Sequence, residues 1–315
     1  MSDTTTIDYA DPAARAGLVA GIEATPGVAK PDPILQVNNI VRAFGGMTAV
    51  DVGHLEVQRG IITAMIGPNG AGKTTFFNLL TGFDRPTSGR EAHWSFDGKK
   101  LDKTSASSVA LAGMVRTFQL TKALNRMTVM DSMMLGARGQ GGEVTGQGDV
   151  QAAVDPPGEG DRGPGQGGSL DRFKALAKKD FAGSLSGGQR KLLEMARALM
   201  SRPKMIMLDE PMAGVNPALT QSLLGHIESL RDEGMTVLFI EHDMHMVRHI
   251  SDWVVVMAEG KIIAEGSADQ VMSDQVVIDA YLGAHHDMDL GDDALLEDDT
   301  ILPTTDADTA SEDDA

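Results

Sequence analysis

Three short stretches of this chain carry residue types suited to phosphate chemistry. The first, Gly67-Pro68-Asn69-Gly70-Ala71-Gly72-Lys73-Thr74 with Thr75 after it, fits G-x-x-x-x-G-K-[ST]. Its glycines let the backbone curl so that successive N–H groups aim at phosphate oxygens, and a helix starting near Lys73 adds its positive dipole end. Lys73 is then set to reach β- and γ-phosphates, and the Thr74 hydroxyl to ligate Mg²⁺. The second, Met205-Ile206-Met207-Leu208-Asp209-Glu210, is an apolar strand that delivers two carboxylates at its end. Asp209 is expected to hold Mg²⁺, and Glu210 to polarise an attacking water as general base. The third is Leu185-Ser186-Gly187-Gly188-Gln189. Ser186 can cap the following helix, whose free amides form a second anion site. One phosphate loop and one separate phosphate cap imply a composite site completed by another chain.

These residues need a particular scaffold. Residues 61–66 form a continuous apolar run of strand length, directly before the glycine loop, and Phe76-Phe77-Asn78-Leu79-Leu80 continues the loop as a helix. Further apolar strands are expected at 205–208 and 237–240, preceded by helical patterns at 188–200 and 217–232. Strand alternating with helix implies an α/β domain with a mostly parallel sheet. Strands at 34–41 and 50–57, a strand and turn at Trp94-Ser95-Phe96-Asp97-Gly98, and a hairpin over 253–264 complete the pattern.

Composition narrows the function. The 315 residues include no cysteine, which excludes a disulfide framework, a zinc-thiolate site and a cysteine nucleophile. Net charge is −18, and residues 285–315 hold twelve Asp or Glu and no Lys or Arg, leaving −6 for the rest. An acidic body argues against nucleic acid as a ligand, since phosphate neutralisation needs clustered Lys and Arg. No apolar run approaches the roughly 18 to 20 residues that span a bilayer. Asp3, Asp8 and Asp11 stand where a signal peptide carries positive charge. The chain therefore reads as cytoplasmic, with any membrane role reached through a partner. Residues 1–32 read as a mobile extension and 285–315 as a disordered acidic tail, which place the globular domain at 33–284. Residues 138–169, with eleven glycines and three prolines, read as a disordered loop. His245 and His249 lie one helical turn apart and read as a surface face, and His285-His286 falls in the tail.

Phe44, residues 67–75, Gln119, residues 185–189, Asp209-Glu210 and His242 occur in an order that resembles the nucleotide-binding subunits of ABC transporters. The resemblance covers roughly residues 34–283. It is closer to the branch serving uptake of branched-chain or hydrophobic amino acids. The residues that carry it are Phe44-Gly45-Gly46-Met47-Thr48-Ala49-Val50, Arg116-Thr117-Phe118-Gln119, Ala213-Gly214-Val215-Asn216-Pro217 and Ala280-Tyr281-Leu282-Gly283. The wider superfamily carries Asp where this chain has Asn216, while the uptake branch commonly shows Asn.

The resemblance implies a P-loop NTPase core of the ABC type with an antiparallel β subdomain. Its helical subdomain, between Gln119 and Leu185, would be shortened, because residues 127–135 and 170–179 read as helix and 138–169 do not. It further implies that Phe44 stacks on adenine, that Gln119 senses Mg²⁺ and contacts the membrane partner, and that His242 touches the γ-phosphate. Two such chains, identical or sister, would sandwich two ATP molecules with Mg²⁺. Transmembrane permease subunits and, indirectly, a solute-binding protein complete an importer on the inner face of the membrane, for these amino acids or for urea or amides. The competing readings are an ABC-type ATPase uncoupled from transport and a regulatory nucleotide-binding subunit.

Overall fold

Five parallel strands and one antiparallel strand form the central sheet of this computed structural model, which describes residues 7–87, 92–102, 104–117, 126–136 and 181–285. The parallel strands are β3 (Ile62–Ile66), β6 (Met114–Arg116), β7 (Met205–Asp209), β8 (Thr236–Ile240) and β9 (Trp253–Ala258). With β10 (Lys261–Gly266) antiparallel at one edge, the order is β10-β9-β3-β8-β7-β6. β3, β7 and β8 are buried along their whole length, as strands covered on both faces must be, which is why they read as unbroken apolar runs.

Alternation sorts these runs into two cores. Ile62, Ala64, Ile206, Leu208, Val237 and Phe239 join one apolar cluster, while Met65, Met205, Met207, Leu238 and Ile240 join the other. The first is closed by α4 (Val129–Met134), α5 (Gly187–Met200), α6 (Pro217–Asp232) and α7 (Met244–Ile250). The second takes in α2 (Lys73–Leu80), α3 (Ala106–Ala112) and an antiparallel sheet of order β2-β1-β4-β5. Its strands are β1 (Pro33–Phe44), β2 (Met47–Gln58), β4 (His93–Phe96) and β5 (Lys99–Lys100). Two short helices, α8 (Ala268–Met272) and α9 (Gln275–His285), follow β10.

The expected strands, the hairpin at 253–264 and the helices at 188–200 and 217–232 are all present. One expectation changes. Of the extension expected to be mobile, residues 7–32 are built onto the domain, with α1 at Pro12–Ala20. Asp11 caps this helix by accepting from the Ala13 amide, with Pro12 at N1; Arg15 is buried against Asp232 at 2.7 Å, and the Lys30 ammonium is buried against Glu265 at 2.8 Å. The tail beyond residue 285, the loop at 138–169, the helix at 170–179 and Gln119 lie outside the described residues, as does the expected shortening of the helical subdomain.

Candidate functional site

In open α/β sheets, ligands bind beyond the carboxyl ends of the strands. Here β3, β8, β7 and β6 stand side by side, and their carboxyl ends present Gly67, Glu241-His242, Asp209-Glu210 and Arg116 along one rim. Sequence segments far apart in the chain meet there.

The loop from Gly67 to Lys73 is shaped by glycine. Gly67 has φ 146°, and a Cβ on it would lie 1.9 Å from the Met257 carbonyl oxygen; Gly72, at φ 96°, would put one 2.2 Å from that of Ala49. The loop is thus pressed between β9 and the β1–β2 hairpin, and only glycine permits the approach. Gly72 heads α2 with no side chain bonded to the helix's first amides, the arrangement an anion needs. The Lys73 ammonium donates to the carbonyls of Gly67 at 2.6 Å and Pro68 at 3.0 Å. Burial pulls its pKa below the ordinary lysine value, opposed by the charges of Glu210 and Asp209. Both acids therefore lie in electrostatic reach of the lysine across the rim. Thr74 is exposed beside them.

Asp209 closes β7 almost wholly buried, and its Oδ2 accepts from Arg116 at 2.6 Å. Glu210 follows in the left-handed region at φ 46°. Its amide donates to the Ile240 carbonyl at 3.1 Å, which continues the β7–β8 ladder for one residue, and its carbonyl accepts from Ala213 at 3.2 Å and from Lys191 Nζ at 2.9 Å.

Glu241, at the end of β8, accepts from the amides of Met212 at 3.0 Å and His242 at 3.3 Å. Burial pushes its pKa up while these two amides pull it down. The carboxylate fastens the turn after Glu210 to the turn that carries His242. His242 itself is exposed. Asn216 accepts from the Leu219 amide at 2.9 Å and caps α6, a task Asn and Asp perform equally well.

Ser186 and Gln189 form a capping box at the start of α5: the Gln189 amide donates to Ser186 Oγ and the Ser186 amide to Gln189 Oε1. Ser186, Gly187 and Gln189 face solvent. Phe44 ends β1, 47% exposed, with the Arg42 guanidinium 4.2 Å from its ring centroid. The structure thus brings residues 67–75, Asp209, Glu210 and His242 to one rim, and presents Ser186–Gln189 at an outward helix end. His245 and His249 are exposed, and among the described residues no group of three acids or histidines could hold a metal ion.

Arg116, within the Arg116-Thr117-Phe118-Gln119 segment, and Lys191 and Glu241, close to the 185–189 and His242 segments, contribute through pairings that no local pattern signals.

The ABC transporter family pattern matches residues 50–213, and that of the branched-chain amino acid ATP-binding cassette transporters matches residues 261–287. A probable branched-chain amino acid transport ATP-binding protein LivG of Archaeoglobus fulgidus is 36% identical over 262 residues, spanning 80% of this chain and 96% of that protein. The high-affinity branched-chain amino acid transport ATP-binding protein BraF of Pseudomonas aeruginosa is 38% identical over 253 residues, spanning 80% and 98%. Among solved structures, the ADP conformation of an ATP-binding cassette of an ABC transporter superposes with a TM-score of 0.65 at 35% identity, covering 80% of this chain and 99% of that one.

Proposed function

The chain belongs to the ABC transporter family of ATP-binding cassettes, and we propose that it is the ATP-hydrolysing subunit of an importer for branched-chain or related hydrophobic amino acids. The observation that carries this reading is the convergence of the Lys73 loop and the Asp209-Glu210 pair at the carboxyl ends of β3 and β7, which β8 alone separates, with Lys73 in electrostatic reach of both acids. The names of the relatives supply the solute class.

Amides of the glycine loop and Lys73 would hold the phosphates of ATP, and Phe44 would offer its open face to the adenine ring. Thr74, Asp209 and Gln119 would hold Mg²⁺. The donor set fits a hard cation, being a hydroxyl, a carboxylate and an amide oxygen. Bound there, the ion supplies neutralisation of phosphate charge. Glu210 takes the proton from the attacking water, and His242 donates to the γ-phosphate. Leu185–Gln189 caps the ATP held by a second cassette, so a closed dimer carries two shared sites. Binding closes the pair and hydrolysis reopens it, a motion the Gln119 segment passes to membrane-spanning permease subunits. A solute-binding protein delivers the amino acid to those subunits. The chain itself docks on the cytoplasmic face; among the described residues no helix is long and apolar enough to cross a membrane.

The test is Mg-ATP hydrolysis by the purified chain, alone and with the membrane subunits encoded beside it. Stimulation by those subunits, with Glu210→Gln trapping an ATP-bound dimer, is the expected result. Equal, near-zero rates for wild type and Glu210→Gln would overturn the hydrolytic reading. Hydrolysis that no membrane subunit stimulates would leave an ATPase without a transporter.

A further inference from the structure

Glu210 is held in a backbone conformation that a residue with a Cβ adopts only when its surroundings enforce it. Its amide is fixed by the ladder to Ile240. Its carbonyl accepts locally from the amide of Ala213. It also accepts from Lys191 Nζ at 2.9 Å, which comes from α5.

This lysine is an unusual choice for a merely structural contact. It is half-buried, and its surroundings are acidic: Glu194 on its own helix, Glu241 at the end of β8, and Glu210 and Asp209 at the end of β7. Burial lowers its pKa against the pull of these four carboxylates. A charged donor to a main-chain carbonyl makes one of the stronger hydrogen bonds a protein forms. Five residues before Lys191 on the same helix stands Ser186, the head of the solvent-facing capping box. One rigid element therefore carries, at its outer end, the cap offered to a second chain's nucleotide and, little more than a turn inward, the grip on this chain's own hydrolytic turn.

We propose that Lys191 is a positioning residue: it holds the left-handed turn at Glu210 and ties the placement of that carboxylate to the seating of α5. Engagement of Ser186–Gln189 by the partner's ATP is thereby passed to the chain's own site, and hydrolysis at the two sites becomes cooperative. This rests on the reading of Glu210 as general base and of 185–189 as the cap in trans.

The experiment compares wild type, Lys191→Met and Lys191→Arg in the full chain co-purified with its membrane subunits. ATP titrations of hydrolysis give kcat, KM and the Hill coefficient, and fluorescent-ATP binding in a Glu210→Gln background gives affinity without turnover. Lys191→Met is expected to lower kcat about tenfold or more, the loss of one charge-assisted hydrogen bond to the catalytic turn. KM and affinity should stay within about twofold, and the Hill coefficient should drop from above 1 in wild type to about 1. Lys191→Arg, which keeps a charged donor, should recover most of both losses. If Lys191→Met does not fold, Lys191→Gln takes its place. Wild-type kcat and Hill coefficient in Lys191→Met would overturn the proposal. So would a loss of affinity in proportion to kcat, which marks general damage, or a Hill coefficient of 1 in wild type. A wild-type rate no higher than buffer would instead sink the ATPase reading, and this inference with it.

Discussion

The Arg116 guanidinium joins Asp209, 2.6 Å away at the end of β7, to Asn78 of α2, also at 2.6 Å. The strand that carries the acidic pair is thus locked to the helix that follows the phosphate loop. Both charged side chains are almost fully buried, at 3% and 4% exposure, so neither charge has water to fall back on. Removing one partner of such a pair costs about 3 to 5 kcal/mol, because the other is left buried and unpaired. Arg116→Met should lose about that much unfolding free energy in urea without nucleotide. Adding Asp209→Asn, which removes the stranded charge, should return part of it. Equal stability of wild type and Arg116→Met would show that the pair is not formed in solution.

What the sequence discloses and what it hides divide along sequence separation. The glycine loop, the acidic pair and the Ser186 cap are local patterns, and the flanking apolar runs say which are strands, so the meeting of the loop and the acidic pair on one rim follows from parallel-sheet topology. Arg116, Lys191 and Glu241 gain their roles from partners 93, 19 and 29 residues away, and no local rule reports such pairings. The N-terminal helix is a different case. Asp11 before Pro12 has the form of an N-cap with proline at N1, while groups that hold the helix to the domain, such as Asp232, are distant in sequence.

Phe44 is exposed and lies under the Arg42 guanidinium on the β1–β2 hairpin, whose Ala49 closely approaches the glycine loop. Stacking of a base on an aromatic ring is worth about 1 to 3 kcal/mol by alanine substitution. Phe44→Ala should therefore raise the KM for ATP by about 10-fold with kcat little changed, while Phe44→Trp should keep the wild-type value. Because stacking reads no base edge, GTP should suffer in parallel. An unaltered KM in Phe44→Ala would mean that the ring does not meet the base.

Gly67 and Gly70 both have positive φ, yet they differ in what surrounds them. A Cβ at Gly67 collides with the Met257 carbonyl at 1.9 Å, whereas at Gly70 nothing lies within 4 Å. Gly70→Ala bears only the left-handed backbone cost of about 1 to 2 kcal/mol and should fold with a modestly lowered melting temperature. Gly67→Ala must push the loop off β9, and should abolish ATP binding as well as lower stability further. Thermal melts and fluorescent-ATP binding of the two variants, side by side, check the ranking; comparable binding by both would contradict the packed-loop geometry.

Arg15 is buried in α1, where it donates to the carbonyls of Tyr9 at 2.6 Å and Ala10 at 3.1 Å and pairs with Asp232 at 2.7 Å. Asp232 ends α6 just before β8 begins, whereas the hydrolytic rim lies where β8 ends, roughly 15 Å along a strand of this length. Arg15→Ala therefore removes hydrogen bonds and buried stem contacts at the far end of the sheet from the chemistry. It should cost about 1 to 3 kcal/mol of stability, with kcat and KM for ATP unchanged at temperatures where the variant is folded. A fall in kcat without a fall in melting temperature would instead tie the N-terminal helix to hydrolysis, and would make residues 7–32 part of the working machine.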